Sequence, residues 1–316
     1  MAYAHTRVRA QRDVARLPAP GALRAAPPSH HITKATMNWQ HNGLAEWTEG
    51  TTAYLSIVFS WQLQNAYSRA IWYRQSGYHV KAGGPAVALN PSILQDVAEI
   101  GGSVPALVHH NPDATFTSRG CIRHCPFCAV PKVEGDLVEL RDWEPKPIIC
   151  DNNLLACSRT HFDRVIDRLK PLRGVDFNQG LDARLLTAYQ ASRLTELRTV
   201  CIRLAWDNSA FESDFQRAFA LLTGAGIKPD HIRVYVLLGF NDTPEDALYR
   251  LTTIRKLGAW PNPMRYQPLD AKRRNEYVGE NWTKTELKDY SRYWARCMFF
   301  ERLGISFADY CRKRSV

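Results

Sequence analysis

The chemistry this sequence advertises lies in three cysteines. Cys121, Cys125 and Cys128 form a C-x₃-C-x₂-C run inside Thr117-Ser118-Arg119-Gly120-Cys121-Ile122-Arg123-His124-Cys125-Pro126-Phe127-Cys128. Spacing this short lets one loop wrap three thiolates around a single inorganic centre. A closed four-iron cluster takes four cysteines, so three leave one iron open to chelate a small molecule. A structural zinc site asks for four ligands, usually as paired knuckles. His124 is the fourth donor nearest in sequence, but it lies between two of the cysteines, where reaching the same metal is awkward. A disulfide would leave an odd cysteine, and no apolar leader marks the chain as secreted.

Such a loop needs a scaffold, and residues 114–270 supply a repeating strand, loop and helix about six times. Strands are expected near Ala114–Ser118, Pro147–Cys150, Val175–Gln179, Thr199–Trp206, Arg233–Phe240 and Met264–Pro268. Between them Phe162, Val165, Ile166 and Leu169 recur at i, i+3, i+4 and i+7, and Phe211, Phe215, Ala218, Phe219 and Leu222 keep the same helical period. Alternation of this kind predicts an α/β fold, a parallel sheet with helices outside. Function in such sheets collects at the C-terminal ends of the strands. Polar residues gather there: Cys150-Asp151-Asn152-Asn153, Asn178-Gln179-Gly180-Leu181-Asp182, Arg203 before Trp206-Asp207-Asn208, Gly239 to Thr243, and Arg265, Gln267 and Asp270. Asp242 or Thr243, before Pro244-Glu245, also has the form of a helix N-cap.

Four segments follow from this pattern. Residues 1–36, rich in Ala, Arg and Pro, read as a disordered extension, either an organelle transit peptide or sequence upstream of a true start at Met37. Residues 37–105 contain a β-rich Tyr54–Phe59, a helix from about Gln62 to Gln75, a strand Tyr78–Ala82 and Gly83-Gly84-Pro85, which together make a βαβ unit. Residues 106–270 hold the repeat. Residues 271–316 form a helical extension whose Thr283-Lys284-Thr285-Glu286 is a capping box, followed by Leu287, Tyr290, Trp294 and Cys297 at helical spacing.

Charge is concentrated at the ends. Of the net +10, residues 1–36 carry six basic and one acidic side chain and residues 272–316 eleven and six, which leaves the middle neutral. The C-terminal aromatics with Arg292, Arg296, Arg302, Arg312 and Arg314 permit nucleic-acid binding, although packing of the helix across an open sheet edge explains the aromatics equally well. Eight cysteines in an ordinary composition point to a reducing, cytoplasmic setting. Most of those outside the motif read as buried small hydrophobes, with Cys150 close to the site because it ends a strand. No stretch reaches the roughly 18 apolar residues of a membrane span.

The C-x₃-C-x-aromatic-C pattern, with Phe127 as the aromatic, resembles the radical S-adenosylmethionine (radical SAM) superfamily over roughly residues 54–270. The resemblance implies a partial (βα)₆ TIM-like barrel and a [4Fe–4S] cluster on Cys121, Cys125 and Cys128, with SAM chelating the open iron. It implies an enzyme that cleaves SAM reductively to a 5′-deoxyadenosyl radical, drawing its electron from a flavodoxin- or ferredoxin-like donor. It puts Phe127 near the adenine, and Asp151 and Asn152 where the family has a Gly-Gly-Glu-type turn on SAM's ammonium. Arg203 would pair with SAM's carboxylate and Gly239 would let the backbone approach the adenine. Gln179, Asp182, Asp207 and Gln267 would touch SAM or substrate. No catalytic residue or substrate is named.

Residues 37–100 resemble the last portion of a cobalamin-binding domain, with the Gly83-Gly84 turn against the cofactor's nucleotide tail. The Asp-x-His-x-x-Gly cobalt-ligand motif is absent, which argues for a truncated relic rather than a working cobalamin site. The alternative class is a non-catalytic iron–sulfur or zinc protein that binds nucleic acid.

Overall fold

A computed structural model describes residues 39, 41–101, 106–198 and 200–312, all within the unit His31–Val316. The expected extension over 1–36, Met37, Thr199 and Arg314 lie outside the described residues. Near the N-terminus, Leu44–Glu49 (β1) turns at Gly50 into Thr52–Ile57 (β2), an antiparallel hairpin with Leu44 opposite Ile57. Gly50 takes φ +56°, a left-handed conformation that costs glycine little. Sequence reading finds only the second of these strands. Leu63–Gln75 (α1) then buries Leu63, Ala66, Ala70 and Tyr73 on one face and returns the chain to His79–Gly83 (β3), parallel to β2. Pro85–Leu89 (α2) and Glu99–Ile100 (β4) complete a sheet of order β1-β2-β3-β4. Its apolar core is its own, built on Leu55, Ile57, Val80, Val87 and Leu94.

After Leu107–His110 (α3) the repeat begins with Ala114–Thr115 (β5). Ser118–Arg119 (β6) and Val138–Glu139 (β7) pair antiparallel and bracket the cysteine segment, which includes the short helix Val130–Val133 (α4). Strands and helices then alternate: Ile148–Ile149 (β8), Arg159–Leu169 (α5), Asp176–Phe177 (β9), Ala188–Leu194 (α6), Ile202–Ala205 (β10), Glu212–Gly224 (α7), Ile232–Leu238 (β11), Pro244–Lys256 (α8) and Trp260–Arg265 (β12). The ladders β5-β8-β9 and β10-β11-β12 are parallel throughout. Parallel bridges Asp176–Cys201 and Leu181–Leu204 join them, so the strands follow one another in chain order.

This is a mixed α/β fold. Its helices bury the residues their period announces: Phe162, Val165, Ile166 and Leu169 on α5, and Phe215, Ala218, Phe219 and Leu222 on α7. Phe211 is the exception; it precedes α7, stays exposed and lies under the Arg184 guanidinium. On β11, Ile232, Val234, Val236 and Leu238 face the helices, and the other face carries Arg233 and Tyr235. The last strand runs four residues earlier than the Met264–Pro268 expected from sequence. Pro261 and Pro263 argue against a central strand, but β12 is an edge of the β10-β11-β12 ladder, where a missing N–H is tolerated.

Thr243, not Asp242, caps α8 by accepting from the Asp246 N–H at 3.3 Å. Asp242 pairs instead with the fully buried Arg250 at 2.7 Å and accepts from the Trp282 indole at 3.0 Å. Lys284–Trp294 (α9) opens with the expected capping box and packs Leu287, Tyr290, Tyr293 and Trp294 into the main core beside β12. Cys297–Arg302 (α10) and Phe307–Arg312 (α11) follow. No helix among the described residues is long and apolar enough to cross a membrane.

Candidate functional site

The cysteine loop is closed at its base by backbone contacts that only glycine permits. Gly120 takes φ +71°, and a Cβ there would lie 2.0 Å from the Asp136 carbonyl oxygen. The Cys121 N–H donates to the Gly135 carbonyl at 3.2 Å, and the Gly120 N–H donates to Glu134 at 2.9 Å. Glu134 also pairs with Arg119 at 2.8 Å and accepts from the Asn152 amide at 2.7 Å, so one carboxylate ties both ends of the loop to the end of β8.

In the loop, Cys121 meets two N–H donors directly. Cys121 Sγ accepts from the Arg123 backbone at 3.3 Å and from Asn153 Nδ2 at 3.6 Å. Burial pushes the Cys125 and Cys128 thiols up, and Arg184 and the Val130 N–H respectively oppose that shift. Arg184 is itself held by two contacts to Asp182, at 2.7 and 3.1 Å. Asp182 accepts further from Arg123 at 3.0 Å and Asn153 at 3.3 Å. Burial works against the Asp182 charge, but Arg184 and Arg123 outweigh it and hold the carboxyl below its ordinary range. Asn153 is 3% exposed and its Oδ1 has no donor, an orphan acceptor beside Cys121.

At the end of β10, Asp207 accepts one hydrogen bond, from the Leu237 N–H at 3.2 Å. Burial raises its pKa to about 6, and its charge in turn opposes ionisation of Cys125 and Cys128. Phe127 stands edge-on to Phe240 at 5.5 Å, Phe240 meets Tyr266 at 4.8 Å, and Tyr266 meets Tyr277 at 5.1 Å. These rings link the cysteine motif to the segments after β11 and β12. Gln179 is exposed, and Gln267 bonds Asn275 within its own loop.

Comparison with protein-family models and with curated proteins gives no match. The reading of the site therefore rests on its own geometry, and three assignments change with it. Asp151 is buried and its oxygens are taken up by the Thr117 N–H, the Thr117 hydroxyl and Ser118, so it clamps the strand before the loop and presents no oxygen to a ligand. Asn152 gives its amide N–H to Glu134, and its Oδ1 remains an acceptor. Arg203 turns its fork to Asp176, with both contacts at 2.6 Å, and reaches the Tyr235 hydroxyl at 2.9 Å; it is a buried pair across neighbouring strands, not a free carboxylate receptor.

Gly239 is required by φ +80° and by Leu287 of α9, whose methyl would lie 2.9 Å from a Cβ. The crowding comes from a packed helix, not from a ligand. The Gly83-Gly84 turn has a similar cause: a Cβ on Gly84 would lie 2.5 Å from the Ile57 carbonyl. Cys150 is buried among Ala114 and Ile148, with its thiol pushed up to about 12 by burial, and belongs to the core. Cys157, Cys201 and Cys297 are buried as well.

Sequence reasoning missed Glu134, Arg184 and the individual role of Asn153. For Asn153 and Arg184 the visible signal was a position after a strand end, whereas Glu134 caps α4 and gave none; their contacts with the loop are tertiary. Among the described residues no three His, Cys, Asp or Glu side chains converge where one metal ion could sit. A four-iron cube carries its thiolates on separate corners and needs them around a space, not on a point. Three thiols on one closed loop, with two N–H donors on Cys121, match that donor set in chemistry.

Proposed function

We propose that this protein is a radical SAM enzyme on a partial (βα)₆ barrel, with Cys121, Cys125 and Cys128 holding a [4Fe–4S] cluster. The observation that carries the reading is three thiols held on one closed loop at the C-terminal ends of parallel strands, with two N–H donors on Cys121 and the Arg184 charge favouring the Cys125 thiolate. When bound, the cluster and SAM supply one-electron cleavage of the sulfonium C–S bond, giving methionine and a 5′-deoxyadenosyl radical that takes hydrogen from the substrate. The chain's own residues bind and orient. Arg123 and Asn153 donate to Cys121, and Arg184 and the Val130 N–H favour the charged forms of Cys125 and Cys128, which sets the potential of the site. Asp182 fixes the directions of Arg184 and Arg123. Asn152 Oδ1, Asn153 Oδ1 and the Asp207 carboxylate are acceptors left for the ammonium or hydroxyl groups of a bound cofactor. Phe127, Phe240 and Tyr266 offer an apolar wall for an adenine and exclude water from it. The electron comes from a flavodoxin- or ferredoxin-like donor.

The test uses protein made anaerobically, with its cluster reconstituted and reduced, then incubated with SAM. Four irons per chain and 5′-deoxyadenosine from wild type, with none from Cys125→Ala, is the expected result. Zinc in place of iron after anaerobic purification would overturn the reading.

A further inference from the structure

We propose that the groove between α9, α10 and α11 binds single-stranded nucleic acid. The groove encloses about 430 Å³ and is lined by Ser291, Arg292, Ala295, Arg296, Phe300 and Tyr310. That volume admits a nucleotide rather than an ion alone. Arg292 lies in the last turn of α9 and Arg296 at the N-cap of α10, and among the described residues neither has a carboxylate partner. Nearby acids are already engaged: Glu301 takes Arg255 through two contacts of 2.8 Å, Asp309 takes Arg312 and Ser306, and Glu286 closes the α9 capping box. Two guanidiniums without local compensation leave a positive groove.

The rings beside these arginines suit bases. Phe300 is stacked on Tyr293 at 5.0 Å and meets Tyr310 at 4.9 Å, which holds the groove wall in place. Phe299 and Leu303, 58% and 57% exposed, continue an apolar path along α10. Arg296 is the N-cap of α10 and Leu303 its C-cap, so the two flank Phe299 along this short helix. Arg302, likewise without a carboxylate partner among the described residues, lies next to that path. Guanidiniums beside an exposed ring, here Phe299, are the arrangement that holds phosphates and stacks unpaired bases. The path continues past the groove, which favours a strand over a mononucleotide, and the rings can stack only on bases freed from a duplex.

The groove is remote from the cysteine loop. The start of α9 touches Gly239 at the C-terminal end of β11, whereas α10 is tied through Glu301 to the last turn of α8, at the other end. It would therefore hold a strand apart from the reaction centre, and the proposal stands independently of the cluster.

The test is fluorescence anisotropy of the full chain with a labelled single-stranded RNA of about 12 nucleotides and mixed sequence, at about 50 and 200 mM KCl. Binding should weaken with salt, each phosphate contact adding about −0.7 to the log–log slope. Charge reversal in R292E/R296E should lower affinity at least about tenfold and flatten the slope by about 1.4. F299A should cost about five- to tenfold with the slope unchanged, since it removes a stack and no charge. The milder R292Q/R296Q should move affinity the same way, and unchanged circular dichroism together with unchanged iron content separates lost binding from lost fold. Absence of binding, binding indifferent to these substitutions, equal affinity for a duplex, or full competition by uridine monophosphate at matched phosphate would each overturn the proposal.

Discussion

At Asp207 and Asp182 the same side chain is driven in opposite directions within one site. Asp207 is half-buried with a single N–H donor, and burial lifts its pKa to about 6. The unfolded chain ionises first, near 3.9. Stability tied to this group is thus complete below about pH 4 and is lost as pH rises through 6. Asp207→Asn should remove that dependence in the apo-protein and raise its stability at pH 7.5 by about 1–2 kcal/mol, allowing for partial exposure. Urea titrations of wild type and variant at pH 4.5 and 7.5 read this directly; equal wild-type stability at both pH values relative to the variant would refute it. Asp182 runs the other way. Its depressed pKa contributes stability present above the unfolded value and lost as pH falls through the folded one. Both aspartates are visible in the sequence at strand ends. Which would be charged depends on Arg184 and Arg123, and neither pairing follows from the spacing of the residues.

The cysteine loop works as an element because its base is tight. Gly120→Ala forces a side chain into the Asp136 carbonyl and into a left-handed backbone, so the loop must open. The expected result is that bound iron after reconstitution falls below about half of wild type while the parallel-sheet core, which Gly120 does not touch, keeps its circular dichroism. Iron assay and spectra on the same preparation decide it; full iron loading by the variant would show that the closed base is dispensable. Among the other elements, amphipathic period identified the inner faces of α5 and α7, and the capping box located the start of α9, because these signals are local. The hairpin strand β1 and the true position of β12 were not legible. One depends on pairing with β2, and the other on a strand's being an edge, which releases its prolines from the ladder.

Across the whole molecule, Asp176 on β9, Arg203 on β10 and Tyr235 on β11 bond sideways and join the two ladders, with Tyr235 donating onward to the Asn178 carbonyl at 2.6 Å. Arg203→Met would leave Asp176 buried without its partner and should cost about 3–5 kcal/mol. Adding Asp176→Leu should restore most of that, because a buried ion pair replaced by apolar groups of similar size is nearly neutral. Urea midpoints of the single and double variants test this, and a double variant no more stable than the single would sink it. By itself the sequence determined what periodicity and short spacing can carry: an α/β alternation, the inward faces of its helices, and three thiols close enough to share one loop. Tertiary structure alone decided which strand-end polar groups remain open to a ligand. Arg203, Asp151 and Gly239 looked like receptors in the sequence, but a charge, a strand end and a helix respectively already occupy them. The reason is physical: a buried polar group must find a partner, and that partner is chosen by the packing of segments far apart in the chain.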